Sequence, residues 1–334
     1  MRPPRFWNRP PGRPALASRL LSPLAALYAW GTARRAGIVG QSAPVPVICV
    51  GNLNAGGTGK TPVVISLTQR LIANGYNPAV VTRGYGGNIE GPTKVDPNRH
   101  SAEQTGDEAL LHAAFTATWI AKDRAAGVAA AVAEGADSIL LDDGFQNPSV
   151  TKDLSIVVVD AATGFGNGRV LPAGPLREPV GPGLARADLL LSVGEADDQA
   201  TFQTRWGDQV TCPSIQARLE PLQMGMDWHG LRVLAFAGIG RPEKFFNTLK
   251  SQGADIVDAV ALGDHQPLAP ALLSRLEQQA KAKGLQLVTT EKDQVRMPPG
   301  FRHKVLTLPV RLEPESWTEI DHELARIGLG GPES

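Results

Sequence analysis

The chain has 334 residues, of which 42% are hydrophobic and 20% charged, and its 33 basic and 33 acidic side chains cancel at neutral pH. That length predicts two domains rather than one, and the composition is that of a globular protein. A zero net charge excludes a general nucleic-acid binder, and two distant cysteines, Cys49 and Cys212, read as free thiols in a reducing compartment, with no Cys/His spacing for zinc.

Charge is unevenly placed. No acidic residue precedes Glu90, whereas Arg2, Arg5, Arg9, Arg13, Arg19, Arg34 and Arg35 fall in the first stretch with Phe6, Trp7, Tyr28 and Trp30. Leu16, Leu20, Leu24, Leu27 and Tyr28 recur at helical spacing. The apolar run after Arg19 is about a dozen residues, short of the roughly 20 that span a bilayer. A signal peptide fits poorly, because Arg34 and Arg35 stand where a small-residue cleavage site belongs. Residues 1–40 therefore read as a basic amphipathic segment lying on an anionic membrane surface, with a packing helix that has a solvated basic face as the alternative.

Strand and helix patterns then alternate, predicting an α/β fold with mostly parallel strands. Strands are expected at Val45–Val50, Ala79–Thr82, Ala117–Ile120, Ser138–Leu141, Ser155–Val159 and Leu189–Val193, and helices at Thr61–Asn74, Gly106–Ala114 and Asp123–Glu134. After the first strand comes Asn54-Ala55-Gly56-Gly57-Thr58-Gly59-Lys60-Thr61. Such a loop turns backbone N–H groups toward an anion, presents the positive end of a helix, and places a lysine on the outer phosphates and a hydroxyl on Mg²⁺. The general pattern begins with glycine, and here Asn54 takes that place. The loop predicts a nucleoside triphosphate, with Mg²⁺ as cofactor. A second carboxylate for the metal comes from the end of an apolar strand, at Asp142, with Asp143 as its metal- or water-holding neighbour.

For an acceptor, "TGDEALLHAA" offers Asp107 at a helix start, although Thr105 and Glu108 have capping-box spacing and both acids equally suit a first helical turn. The turn "VTRGYGG" carries Arg83 and Tyr85, which could order over a substrate. In the long loop "RVLPAGPLREPVGPG", Arg177 could offset charge on a moving phosphoryl group and Glu178 could hold Mg²⁺. Either could equally be an ordinary loop charge.

A second α/β set follows, with strands at Val233–Ala237, Asp255–Val260 and Gln286–Thr289 and helices at Arg241–Gln252 and Leu268–Lys283. His265, in "GDHQPL", reads on its own as a surface or capping histidine. "TTEKDQVR" at Thr289–Arg296 has some likeness to base-recognition turns of GTP-binding proteins. The near-repeats "ARLEPL" (Ala217–Leu222) and "VRLEPE" (Val310–Glu315) suggest an outgoing and a returning strand between domains, with a last helix at Trp317–Ile327 on the first domain. The expected domains are 41–215, a P-loop unit; 222–304, a second unit; and 305–334, the return strand and terminal helix.

In order along the chain, "VGNLNAGGTGKTP", "VTRGYGG", "GDEALLHA", "LLDDGFQN", "LPAGPLREP", "FAGIGRPEKFF", "GDHQPL" and "TTEKDQVR" resemble the tetraacyldisaccharide 4′-kinase (lipid A 4′-kinase) family. The resemblance implies a P-loop NTPase-type α/β/α sandwich and a second, smaller α/β domain joined by a two-stranded linker. It implies transfer of the ATP γ-phosphoryl group to the 4′-hydroxyl of a tetraacylated glucosamine disaccharide 1-phosphate, at the cytoplasmic face of the inner membrane. It also pairs Asp107 with His265 near the acceptor, and the family too lacks the first glycine of the general loop. The implied partners are the lipid disaccharide and the membrane surface, with no nucleic acid and no obligate protein partner. The rival reading is a P-loop ATPase switch of the partitioning or cargo-delivery type, in which a lysine often stands where this chain has Ala55.

Overall fold

Near-continuous runs of Val, Ile and Leu make strands that must be covered on both faces, as in parallel sheets with helices above and below. A computed structural model describes residues 4–222 and 225–331, so Arg2 and residues 332–334 of the expected terminal segment lie outside the described residues. The strands of the first part are β1 (Val47–Gly51), β2 (Pro78–Thr82), β3 (Thr93–Lys94), β4 (Thr118–Ile120), β5 (Ser138–Asp142), β6 (Leu154–Asp160), β7 (Leu189–Val193) and β8 (Ser214–Pro221). Then come β9 (Arg232–Ala237), β10 (Asp255–Ala261), β11 (Gln286–Thr289), β12 (Val305–Thr307) and β13 (Val310–Pro314).

Among the described residues the large sheet has the order β13-β8-β7-β6-β1-β5-β2-β4-β3. β1 lies between β5 and β6, parallel to both, with Val50 opposite Asp142 and opposite Ile156. The chain order reverses at β1, so its C-terminal end opens into the crevice where doubly wound sheets bind ligands. The helix Lys60–Ala73 covers one face, burying Val63, Val64, Leu67 and Leu71 in one cluster with Ile48, Val50, Leu140 and Ile156. The helix Arg124–Ala133 covers the other, with Val128 and Ala131 among Cys49, Val81 and Leu141. Its Gly127 is required by contact, since a Cβ there would sit 2.6 Å from Ala121 Cβ.

The smaller sheet, β10-β9-β11-β12, is parallel throughout. Phe245 and Leu249 of the helix Pro242–Ser251 pack on one face, and Leu273, Leu276 and Ala280 of the helix Pro270–Lys283 on the other. The near-repeat segments pair with each other. β8 and β13 run antiparallel with Leu312 opposite Leu219 and Arg311 opposite Glu220, carrying the chain between the two lobes and back. The terminal helix Thr318–Arg326 then returns to the large sheet, where Ile320 and Leu324 join the cluster of Leu67 and Leu71. Arg70 ion-pairs with Asp321 and stacks 4.5 Å from the Trp317 ring centroid.

The capping box falls one turn earlier than Thr105 and Glu108 suggested. Ser101 N–H donates to Gln104 Oε1 at 2.9 Å, and Gly106 at φ 83° separates that short helix from Asp107–Ala113. Only glycine adopts this bend readily, and it frees Glu108 from a capping duty.

The N-terminal helices Leu16–Leu20 and Ser22–Ala36 invert the usual pattern of a soluble surface helix. Small residues face the body: Ser18, Ala25 and Thr32 are buried, and Ser18 Oγ donates to Ala173 O at 2.6 Å. Large apolar residues face outward, with Leu16 72%, Leu20 72%, Leu24 56%, Leu27 63% and Trp30 61% exposed. No helix among the described residues is long and apolar enough to cross a membrane.

Candidate active site

The glycine loop is shaped from behind by side-chain amides. Asn52, fully buried, donates to Gly56 O and to Thr58 Oγ1, each at 3.1 Å. Asn54 donates to Gly164 O at 3.0 Å, and Ala55 N–H to Pro175 O at 2.6 Å. Asn54 and Ala55 thus brace the loop against the segment that carries Arg177. The front is open: at Gly56, Gly57 and Gly59 a Cβ would meet nothing within 4 Å. Gly56 (φ 138°) and Gly59 (φ 88°) hold conformations that side chains disfavour. The helix Lys60–Ala73 begins directly after Gly59, so its unpaired N–H groups and positive end serve the same space.

Asp142 ends β5 and is 1% exposed. Its Oδ2 lies 3.0 Å from His112 Nε2, whereas Oδ1 is buried without a hydrogen-bond partner in the structure. A buried carboxylate oxygen left so is costly, and a divalent cation satisfies it. Thr61, at the first turn of the facing helix, supplies a hydroxyl. Among the described residues no group of three or more His, Cys, Asp or Glu side chains gathers as a metal cage.

Asp143 has a left-handed backbone (φ 56°) that turns its carboxylate from Asp142 toward cations. Arg177 donates to it through Nη1 at 2.7 Å and Nη2 at 3.1 Å, and Lys60 Nζ lies 3.5 Å away. Burial opposes its charge, but Lys60 and Arg177 outweigh burial and hold the carboxyl below its ordinary range. Glu178 has other partners than a metal: Gln146 donates to Oε1 at 2.9 Å and Arg186 to Oε2 at 2.5 Å.

The acceptor residues come from opposite lobes. Asp107, 4% exposed, opens its helix, and its Oδ1 accepts Glu108 N–H at 2.9 Å. Its Oδ2 lies 2.9 Å from His265 Nδ1. His265 has φ 54°, the other non-glycine residue in this region of the described chain besides Asp143, and Tyr85 meets its ring edge-on at 5.9 Å. Glu108 Oε1 accepts from Thr61 Oγ1 at 3.4 Å, so the Asp107 helix reaches the nucleotide loop directly. Arg83 is exposed beside this turn.

Burial raises Asp107, but the His265 hydrogen bond and the charges of Lys292 and Arg296 prevail and depress it. The hydrogen bond to Asp107 raises His265, against burial and Lys292. The depressed acid stabilises the fold above its unfolded value near ~3.9, and that contribution fades as pH falls through the folded value. The raised histidine contributes fully below ~6.5, fading as pH rises through its folded value. The stability gap between the parent chain and His265→Gln is therefore expected to be widest from about pH 4 to 6.5 and narrower at higher pH. Urea unfolding midpoints across pH check this, and a gap that widens toward alkaline pH contradicts it.

The model of the family described as tetraacyldisaccharide-1-P 4′-kinase matches residues 17–327. The chain belongs to the tetraacyldisaccharide 4′-kinase family. It is 60% identical over 314 residues to a tetraacyldisaccharide 4′-kinase of Dinoroseobacter shibae, covering 93% of each chain. It is 56% identical over 332 residues to one of a Jannaschia species, covering 98% of this chain and 99% of that one. Among solved structures it is similar to LpxK of Aquifex aeolicus in complex with ATP, with a TM-score of 0.75 and 25% identity over 93% of this chain and 99% of that one. As in other P-loop proteins, in this kinase family member the nucleotide loop was the part most visible in sequence.

Other residues at the site escaped sequence reading. Asn52 shapes the loop and His112 backs Asp142; the only signals were an amide at the end of an apolar strand and a histidine in an apolar helical stripe. Asp160, ending β6, takes Arg241 Nη1 and Lys244 Nζ of the other lobe, each at 2.7 Å. The base-recognition reading of Thr289–Arg296 is corrected: Asp293 is fully buried and accepts Gly238 N–H at 3.0 Å, so it knits the second lobe together and cannot meet a base.

Proposed function

We propose that this chain transfers the γ-phosphoryl group of ATP to the 4′-hydroxyl of a tetraacylated glucosamine disaccharide 1-phosphate, a step of lipid A biosynthesis, with Mg²⁺ as cofactor. The family supplies the reaction. The observation that carries the site is the Asp107–His265 contact, one residue from the Glu108 that reaches Thr61.

N–H groups of Gly57, Gly59 and Lys60 hold the β-phosphate, and the Lys60 ammonium spans β and γ oxygens. Thr61 and Asp142 would hold Mg²⁺, which would supply charge neutralisation for the phosphates. Arg177, kept in place by Asp143, offsets charge as the phosphoryl group moves. Asp107, oriented by His265, aligns the sugar hydroxyl; its oxygen bonds to the γ-phosphorus, the bond from that phosphorus to the bridging oxygen breaks, and ADP leaves with the electron pair. The hydroxyl proton passes to Asp107. Transfer is loose, so alignment counts for more than early deprotonation, and a carboxylate of low basicity suffices.

A lipid acceptor is also supported by the N-terminal helices. Their outward leucines and Trp30, with Arg13, Arg19, Arg34 and Arg35 exposed among them, suit the boundary of an anionic bilayer. A cavity of about 510 Å³ between Trp30, Ala33, Pro179 and Pro182 suits part of an acyl chain. We place the protein peripherally on the cytoplasmic face of the inner membrane. Replacing Leu20, Leu24 and Leu27 together by serine keeps the inward anchors and is expected to abolish most co-sedimentation with phosphatidylglycerol vesicles. Unchanged sedimentation would remove the membrane role.

The reaction is tested by incubating labelled ATP with the monophosphorylated lipid disaccharide in micelles. A doubly phosphorylated lipid is the expected product. Label released only as inorganic phosphate, whether or not lipid is added, would instead point to a switch ATPase.

A further inference from the structure

Lys292 comes from the smaller lobe yet sits among the acceptor residues of the larger one. Its Nζ donates to Glu108 Oε1 at 3.0 Å and lies 3.5 Å from His265 Nε2, with the side chain 20% exposed. Burial opposes its charge, but Glu108 and Asp107 outweigh burial and keep it protonated. Nothing in the reaction described above uses it.

The two ring nitrogens of His265 face opposite kinds of partner. Nδ1 faces the Asp107 carboxylate, which can only accept, so Nδ1 carries a proton. Nε2 faces an ammonium, which can only donate, so a second proton there would set two N–H groups against each other. Asp264 Oδ1, at 3.8 Å from Nε2, pulls the other way, but it is farther and its side chain is 48% exposed, so water screens it. The remaining groups around the ring are Arg296, 3.8 Å from Asp107 through Nε, Glu108 behind Lys292, and the Tyr85 ring.

We propose that Lys292 is a positioning residue for phosphoryl transfer: held by Glu108, it presents its ammonium to His265 Nε2 and so opposes the second ring proton that Asp107 favours, leaving the first on Nδ1, facing Asp107. The inference rests on the reading that Asp107 and His265 serve the acceptor hydroxyl. An imidazolium would pair with Asp107 and cut its power to take a proton; a neutral imidazole orients the carboxylate and leaves its charge available. Because Glu108 also meets Thr61, the same lysine ties the smaller lobe to the nucleotide loop. Closing the cleft and setting the acid–base pair thus become one event.

The test follows the His265 ring resonances by NMR through a pH titration of the full chain without nucleotide, assigned by their loss in His265→Gln. In Lys292→Met the His265 midpoint is expected to rise by roughly one pH unit, as when a neighbouring cation is removed. In micellar assays kcat should fall by about 10- to 100-fold with the KM for ATP little changed, as for loss of part of an acid–base contribution. Lys292→Arg, which keeps the charge and can donate to both partners, should restore the midpoint and most of kcat. If Lys292→Met does not fold, Lys292→Gln, neutral but of similar reach, is expected to show the same rise. A His265 midpoint unmoved in the neutral variant overturns the proposal, even where kcat falls, since the lysine is then only structural. Asp107→Ala in the same assay separates the two readings: its failure to lower kcat sinks the acceptor assignment, whereas a loss there with Lys292→Met unaffected sinks only the role of Lys292.

Discussion

Asp107→Ala is expected to lower kcat by roughly 10²- to 10⁴-fold, the range of general-base assistance, with ATP binding nearly intact. The carboxylate contacts His265 and its own helix start, and no nucleotide-loop residue bonds to it directly. Its loss therefore falls on the acceptor half of the site. The substitution also leaves Arg296 and His265 facing a buried gap, so a thermal melt must accompany the kinetics; buried charges that lose their partner destabilise a fold. His265→Ala should lower kcat less, because the carboxylate remains. The double variant should be little worse than Asp107→Ala alone, as for groups that act as a unit. Steady-state rates at saturating ATP and lipid, with ATP affinity measured separately, decide the matter. An Asp107→Ala enzyme that keeps its kcat would remove the proposed base.

Lys60→Ala should damage both nucleotide affinity and rate. Here the lysine rests 3.5 Å from Asp143, which is also bound by Arg177. That arrangement keeps the ammonium at the mouth of the glycine loop and ready for outer phosphates. Removing one preorganised charge from a transition state that spreads charge over oxygens costs about 10²- to 10³-fold in kcat. A weaker KM for ATP is expected beside it, which sets this variant apart from Asp107→Ala. Arg177 then has Asp143 to itself, so the loop should stay folded and the melt unchanged. Equal kcat in the parent and Lys60→Ala would mean that the triphosphate does not sit on this loop.

How much of this was legible in sequence depended on how local each feature is. The strands β1 and β5, the glycine loop and the carboxylates after β5 are coded within a few residues, by apolar runs and by glycines that a positive φ requires. The pairing of "ARLEP" with "VRLEP" was visible because the repeat lies within the strands that meet. The short β12 and the helix Ala196–Trp206 were missed, the latter because only Gln199, Phe202 and Trp206 of it are buried and its apolar stripe is thin. The Asp107–His265 contact spans 158 positions, and no spacing rule reaches across two lobes; family resemblance alone suggested it. Lys292 and Asp160 were silent for the same reason, since a charge at the end of a strand or in a short helix looks alike in sequence whether it meets water or another lobe. The partners of Glu178, Gln146 and Arg186, could not be read from sequence, because they become neighbours only after folding.

The bonds described between the lobes are made by charged groups: Asp160 with Arg241 and Lys244, Lys292 with Glu108, and Asp107 with His265. A seam stitched mostly in this way bares little greasy area when it comes apart, chiefly Val295 against Ala109, Leu110 and Ile120, because each separated charged partner is handed back to the solvent that wets it. Swinging the halves apart to admit a bulky amphiphile therefore need not invite clumping with neighbouring molecules, and shutting them again requires no search for a jigsaw fit.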